Sequence, residues 1–126
     1  MNDDRVDLPR AEEGAVRWES LREWSVERLS GVVPALLERL KEPDADEAAS
    51  LLLRLEYELV PHLQSVLRSG DARRKAAALE RVVRRMPKEV GLELTSELIA
   101  LAMNPSEEDA GEGVDELAEE ALAAWL

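Results

Sequence analysis

The stretch VPALLERLKEPD, residues 33–44, decides the fold because it recurs in register as VPHLQSVLRSGD at residues 60–71. Val-Pro opens both copies, leucines follow at helical spacing, and an aspartate, Asp44 or Asp71, closes each copy. Proline suits the first turn of a helix, and aspartate is a preferred residue immediately before one. Each copy therefore predicts a helix, a tight turn and a second helix that the aspartate caps.

The similarity continues past the two aspartates, so the repeated unit is a complete pair of helices. One such pair cannot bury its apolar face alone, whereas stacked pairs form a continuous core. The sequence therefore predicts an all-α fold, a short right-handed stack of helical hairpins with about six or seven helices. The equivalent positions in the second helices are Ala45 and Ala72, Ala49 and Ala76, and Leu52 and Leu79.

Helical spacing of apolar residues extends the prediction to both sides of the repeat. Upstream, a helix is expected over residues 11–29, with a break near Trp24-Ser25. The second helix of the second unit is expected over residues 72–86, and two further helices follow over residues 87–101 and 114–125.

The remaining segments are predicted to be connections. Residues 104–113 predict an acidic loop, in which Ser106 and Asp109 have the spacing of a capping box. Residues 1–9 are polar and predict a flexible tail, and residues 10–126 are then a single helical-repeat domain.

Two further resemblances concern families. The run DARRKAAAL, residues 71–79, resembles a HEAT-like repeat, in which an aspartate in the turn precedes a basic residue, alanine and leucine. This resemblance implies an α–α superhelix in which the second helix of each unit lines a concave binding face.

The chain is also similar, over about residues 32–122, to an uncharacterised bacterial helical family, domain of unknown function 5071. That family tends to carry a tryptophan in the helix after each aspartate turn, where this chain has alanine, arginine and lysine. Because the family has no established activity, the resemblance implies a fold and no function. The segments that carry it are ELVPHL at 58–63, MPKE at 86–89, NPSEE at 104–108 and VDELA at 114–118.

Composition excludes several kinds of site. The chain has 126 residues, with no cysteine, one histidine and 3% aromatic residues. It therefore lacks the ligands of thiolate or multi-histidine metal sites and the side chains that stack single-stranded bases. Since it shows no membrane-spanning run and no secretory signal, we expect a cytoplasmic protein without metal, cofactor or membrane partner.

The net charge of -12 is unevenly distributed. Residues 68–88 carry eight basic and two acidic side chains, whereas residues 89–126 carry eleven acidic and no basic ones. On the helix predicted over residues 72–86, five arginines share an arc of about 120° of the surface. This arginine stripe consists of Arg73, Arg74, Arg81, Arg84 and Arg85.

Like charges this close repel each other, so an acidic counterpart is expected. Either the chain's own C-terminal helices supply it, or the stripe binds a partner with an acidic surface. A nucleic-acid partner is not expected, because the acidic remainder of the chain repels a polyanion. The internal candidates are Glu93, Glu97, Glu116, Glu119 and Glu120.

The histidine, the acidic run and the tryptophans are expected to have structural roles and not catalytic or metal-binding ones. His62 has no nucleophile or second ligand near it in sequence, and the carboxylates of residues 107–112 lack the spacing of a calcium loop. Trp125 lies on the apolar stripe of the last helix and is expected in the core. Trp18 and Trp24 lie in the least regular helix, where an exposed tryptophan is a good interface anchor.

The sequence therefore predicts a non-catalytic protein-binding helical-repeat module that uses the arginine stripe. One alternative is an immunity protein that neutralises a bacterial toxin with its acidic C-terminal helices. A weaker alternative is a helical-repeat DNA-processing enzyme such as a glycosylase, which requires a basic concave cleft with a buried carboxylate.

Overall fold

The computed structural model describes residues 8–10 and 15–125, and the regular structure of this part is helical. The exception is one isolated antiparallel bridge between Arg10 and Val16. The helices, in chain order, are α1 Trp18–Leu21, α2 Val26–Ser30, α3 Val33–Glu38, α4 Ala45–Leu53, α5 Val60–Leu67, α6 Ala72–Arg81, α7 Lys88–Gly91, α8 Thr95–Met103, α9 Glu107–Gly111 and α10 Val114–Trp125. Short 3-10 segments lie at Arg39–Lys41, Glu56–Leu59, Val83–Arg85 and Leu92–Leu94.

The internal repeat corresponds to two successive helix pairs. Helix α3 packs against α4, α5 packs against α6, and α6 also contacts α4 and the 3-10 segment after α3. Leu36 and Leu52 of the first pair are fully buried, and so are the equivalent Leu63 and Leu79 of the second. The prediction of an all-α fold is therefore confirmed, and the repeated leucines form its core.

The two repeated aspartates behave differently. Asp71 caps α6, since its carboxylate accepts a hydrogen bond from the backbone N–H of Arg74 at 3.0 Å. Asp44 also lies immediately before its helix, but its side chain makes no such bond. It accepts instead from the Arg39 guanidinium at 2.8 Å and from Trp18 Nε1 at 3.1 Å. The predicted cap at Asp44 is wrong because these side-chain donors bind its carboxylate.

The N-terminal helix is shorter and more broken than predicted. Residues 15–17 are not helical, residues 11–14 lie outside the described part, and the break expected at Trp24-Ser25 separates α1 from α2. Ser25 caps α2 by accepting from the N–H of Arg28. Most of the expected tail, residues 1–7, also lies outside the described residues, whereas Leu8 is buried in the core.

Helix α6 ends at Arg81, not at residue 86 as predicted, and a 3-10 turn follows it. Pro87 disfavours helical backbone at the preceding residue, and Met86 is extended, with φ -73° and ψ 145°. Residues three apart eclipse in a 3-10 turn, which brings the buried Val83 and Met86 to the same side. A second 3-10 segment similarly separates α7 from α8, where one helix was expected.

The C-terminal region follows its sequence pattern closely. Ser106 and Asp109 form the predicted capping box at the start of α9, with each side chain accepting from the other's backbone N–H. Helix α10 packs on α8 and α6 and buries Trp125, as expected. None of the helices in the described ranges is long and apolar enough to cross a membrane.

Trp125 lies directly against the backbone of α7 at Gly91. A Cβ atom at Gly91 would lie 2.7 Å from Cε2 of the indole, well inside the contact distance. Glycine at this position therefore allows α10 to approach α7 with the indole between them.

We predict that Gly91→Ala lowers the free energy of unfolding by about 1–3 kcal/mol, because overpacking forces the indole or the backbone to move. Urea unfolding followed by circular dichroism measures the change. Gly111→Ala is the matched control, because a Cβ there meets nothing within 4 Å. Equal effects of the two substitutions would contradict the proposed contact.

Candidate functional site

The arginine stripe is not one continuous helical face. Arg73, Arg74 and Arg81 lie on α6, whereas Arg84 and Arg85 lie in the 3-10 turn beyond its end. The predicted common arc assumed a helix that continued to residue 86. The structure therefore divides the stripe into two groups.

Two of the five arginines form ion pairs with the preceding hairpin. Arg74 pairs with Glu38 of α3, and an oxygen of Asp46 on α4 lies 3.5 Å from the Arg81 guanidinium. The positive charges of these two side chains are therefore neutralised by carboxylates of the same chain. These carboxylates come from the first repeat unit, not from the C-terminal helices where they were expected.

The other three arginines remain exposed and unpaired. Within the described ranges, no carboxylate oxygen lies within 4.0 Å of Arg73, Arg84 or Arg85, and the same is true of the exposed Lys88. Arg84, Arg85 and Lys88 are close in sequence, and we call them the basic patch. Arg73 lies at the opposite end of α6, about 15 Å away by helical rise.

Two C-terminal carboxylates pair with basic residues outside the stripe. Glu97 on α8 binds the exposed Arg68 guanidinium, which follows α5. Asp109 on α9 binds Lys75 on α6, with Nζ and Oδ1 at 2.8 Å and both side chains buried. Lys75 was not among the residues predicted to form a site. Its spacing, three residues after Ala72 and four before Leu79, places it on the buried side of α6 and was the available signal.

Asp109 combines two roles at the start of α9. Burial raises the pKa of its carboxyl group. Hydrogen bonds from Lys75 and from Ser106, together with the charge of Lys75, lower that pKa by more than burial raises it. The net effect holds the pKa below its ordinary value. Asp109 is therefore a carboxylate that both caps α9 and attaches it to α6.

A pocket of about 490 Å³ lies where the end of α5, α6 and α8 meet. Arg68 binds Glu97 through Oε2, whereas the buried Oε1 has no hydrogen-bond partner. We call this the α8 pocket. Its lining consists of Leu67, Arg68, Ser69, Lys75, Ser96, Glu97, Ala100, Leu101 and Asn104.

The remaining acidic residues of α9 and α10 form an exposed surface. They have no basic side chain within 4.0 Å in the described part of the chain, so their charge is not neutralised by the stripe. We call this surface the acidic face. Its exposed members are Glu107, Glu108, Glu112, Glu116, Glu119 and Glu120.

The remaining candidates, His62, Trp18 and Trp24, are partly buried in the fold. His62 is half-buried on α5. Trp18 and Trp24 are half-buried against the core, and the Arg28 guanidinium lies 3.9 Å from the centroid of the Trp24 ring. Among the described residues, no three histidine, aspartate or glutamate side chains are grouped as metal ligands.

Comparison with known proteins gives one family. The family model described as "Domain of unknown function (DUF5071)" matches residues 8–122, which extends the resemblance seen in the sequence toward the N-terminus. No curated protein matches the chain.

We predict that Lys75→Met lowers the free energy of unfolding by about 3 kcal/mol, because it leaves the buried Asp109 carboxylate without its cation. Chemical denaturation measures this loss. Glu47→Gln breaks the exposed Arg22–Glu47 pair and serves as the control, for which little change is expected. A loss no larger than that of the control would show that the buried pair does not hold α9 to α6.

The Asp109 pKa also predicts a dependence on pH. A lowered pKa in the folded state stabilises the protein above the unfolded pKa of about 3.9, and this contribution is lost as pH falls through the folded pKa. The stability difference between the wild type and Asp109→Asn is therefore largest near neutral pH and shrinks below about pH 4. Denaturation of both proteins across this range measures it, and a difference independent of pH would contradict the assignment.

Proposed function

The chain belongs to the DUF5071 family, and we propose that it is a non-catalytic, protein-binding helical module whose partner presents an acidic surface. The observation that carries the proposal is the basic patch, in which Arg84, Arg85 and Lys88 are exposed and unpaired among the described residues. Arg73 adds a further unpaired cation at the other end of α6.

The chemistry of arginine supports this choice of partner. Its planar guanidinium binds a carboxylate through two parallel hydrogen bonds, and it is enriched at binding hot spots. Three adjacent cations repel each other until a counter-charge approaches. No carboxylate of the described chain pairs with these three cations. Carboxylates of a partner can therefore bind them and relieve their mutual repulsion.

A protein suits the patch better than a nucleic acid does. The acidic face places a strong negative potential on the same small molecule, which repels a polyphosphate backbone. A protein surface can present a local acidic patch without extending its charge across the whole domain. We further propose a HEAT-like arrangement of the two helix pairs and, from the lack of cysteine, a location in the bacterial cytoplasm.

The acidic face favours a second candidate function, an immunity protein. Six exposed glutamates, five on α9 and α10 and Glu112 between them, have no basic partner in the described ranges, so they are available to a cationic toxin. This candidate uses the opposite charge and a different surface, so variants of the two surfaces distinguish it from the main proposal.

The DNA-processing alternative gains no support from the α8 pocket. Glu97 is a buried carboxylate, but the two basic residues of its pocket are already paired, Arg68 with Glu97 and Lys75 with Asp109 behind the lining. That alternative required a basic cleft.

We predict that the double variant Arg84→Glu, Arg85→Glu reduces capture of the partner at least about tenfold, since it replaces attraction by repulsion. The wild type and variants are immobilised and exposed to extract of the source cells, and bound proteins are quantified by mass spectrometry. Thermal unfolding should be nearly unchanged, because both side chains are exposed and unpaired.

The matched control is Arg17→Glu, which reverses the charge of one exposed arginine near the other end of the chain and is compared with the single variant Arg84→Glu. It should retain the partner. The variant Glu116→Lys, Glu120→Lys tests the acidic face. Loss of the partner with this variant alone supports the immunity candidate and overturns the proposal for the basic patch, as does equal loss with the control.

A further inference from the structure

We propose that the outer face of α8 pairs with the same face of a second copy of this chain, in an antiparallel arrangement with two-fold symmetry. This homodimer goes beyond the proposed function. Its surface borders the basic patch at Lys88 but does not use Arg84 or Arg85, so the two proposals can be tested separately.

The first observation is a line of exposed apolar side chains along α8. Among the described residues, four large apolar side chains are exposed, and three of them lie on this line, namely Leu92, Ile99 and Met103 at 38%, 48% and 73% exposure. Leu92 precedes α8, but the N–H and the hydroxyl of Thr95 both bind its carbonyl oxygen and join the two elements. With Ser96, these three residues have helical spacing, and we call the four the α8 stripe.

The second observation is that the outer face of α8 carries no charged side chain. The exposed residues within the helix are Ser96, Ile99, Ala100 and Met103, in a chain of which 35% of the residues are charged. The opposite face is buried in the core through residues such as Leu98. A helix that is apolar on both faces is typical of a helix with packing on both sides. The outer face of α8 is therefore suited to an interface.

The third observation is that charges of opposite sign lie at the two ends of the stripe. Lys88 precedes Leu92 by one helical turn, since the Leu92 N–H binds the Lys88 carbonyl oxygen. At the other end, the chain after Met103 reaches the exposed Glu107 and Glu108 within five positions. None of these three charged side chains has an oppositely charged partner in the described part of the chain. A surface with opposite charges at its ends is complementary to itself after a two-fold rotation.

The spacing of the stripe fits this rotation. Leu92 and Met103 are equally far from the midpoint between residues 97 and 98, and so are Ser96 and Ile99. An antiparallel pair of α8 helices centred on that midpoint therefore places Leu92 of one copy against Met103 of the other. The two Ile99 side chains lie near the symmetry axis, where each covers the other.

The same register brings opposite charges together. Lys88 and Glu107 are also equally far from the midpoint, so the lysine of each copy approaches the acidic segment of the other. The antiparallel orientation also aligns the helix dipoles favourably. A second copy thus supplies an apolar stripe of equal length and an opposite charge at each end, which identifies it as the partner that fits this face.

Sedimentation equilibrium of the full chain measures the association. The stripe is narrow compared with the roughly 800 Å² that each partner contributes to a standard interface, so we expect a dimer of micromolar affinity. A concentration series up to about 1 mM covers this range. Because the net charge of -12 repels a second copy, the salt is kept at about 0.15 M, where the Debye length is about 8 Å.

A charge placed near the axis tests the apolar contact. Ile99→Glu should weaken the dimer at least about tenfold, because it brings two carboxylates together in place of apolar packing. Ser65→Glu is the matched control, since it adds the same charge at an exposed position of α5 outside the stripe. It should leave the affinity unchanged, and so should Arg84→Glu, Arg85→Glu, which tests the basic patch alone.

A charge exchange tests the antiparallel register. Lys88→Glu and Glu107→Lys should each weaken the dimer several-fold, because each substitution places like charges opposite each other. The double variant Lys88→Glu, Glu107→Lys restores opposite charges in a symmetric pair and should recover most of the wild-type affinity.

Several results would overturn the proposal. A chain that stays monomeric up to about 1 mM does not form the dimer. A dimer that tolerates Ile99→Glu uses another surface, and Met103→Glu at the most exposed position of the stripe gives the same test where Ile99→Glu disturbs folding. A double charge exchange that recovers no affinity, with unchanged circular dichroism, contradicts the antiparallel register. A monomeric chain that loses a different bound protein through Ile99→Glu assigns the face to that protein instead.

Discussion

The ion pair between Lys75 and Asp109 connects the two halves of the structure. Lys75 belongs to the second helix of the repeat, and Asp109 belongs to the acidic C-terminal region. Because Asp109 also forms the capping box with Ser106, the same carboxylate sets where α9 begins and where it attaches. Helix α10 follows immediately and packs on α6 and α8 through buried residues such as Ala118 and Trp125, so this charged contact and apolar packing together hold the C-terminal region.

This contact also changes the interpretation of the uneven charge distribution. The sequence suggested that the acidic C-terminal helices neutralise the arginines of α6. In the structure, two carboxylates of the C-terminal region pair elsewhere, Glu97 with Arg68 and Asp109 with Lys75. Arg74 and Arg81 pair instead with carboxylates of the first helix pair. The unpaired charges of the described residues include the small basic patch and the larger acidic face, which lie on different elements. The molecule therefore presents two separate surfaces of opposite charge.

Sequence reasoning predicted the elements that depend on local pattern. The recurring leucines, such as Leu36 and Leu63, identified the core, and the spacing of Ser106 and Asp109 identified a cap. The predictions failed where a side chain binds a partner that the local helical pattern does not indicate. Asp44 binds Trp18 and Arg39 instead of capping α4, and Lys75 is buried because a carboxylate 34 positions later meets it. The end of α6 was predictable from Pro87, whereas the arc of five arginines assumed a helix that continued to residue 86. The unpaired oxygen of Glu97 has no signature in sequence, since it depends on how α5, α6 and α8 meet.

The contact between Gly91 and Trp125 limits the order in which these two residues can be exchanged. The two residues lie on α7 and α10, and the indole occupies the space that a side chain at position 91 would need. A larger residue at position 91 therefore fits only if position 125 carries a smaller one. Exchanging the two sizes one substitution at a time passes through a destabilised intermediate, because one order leaves a cavity and the other forces an overlap.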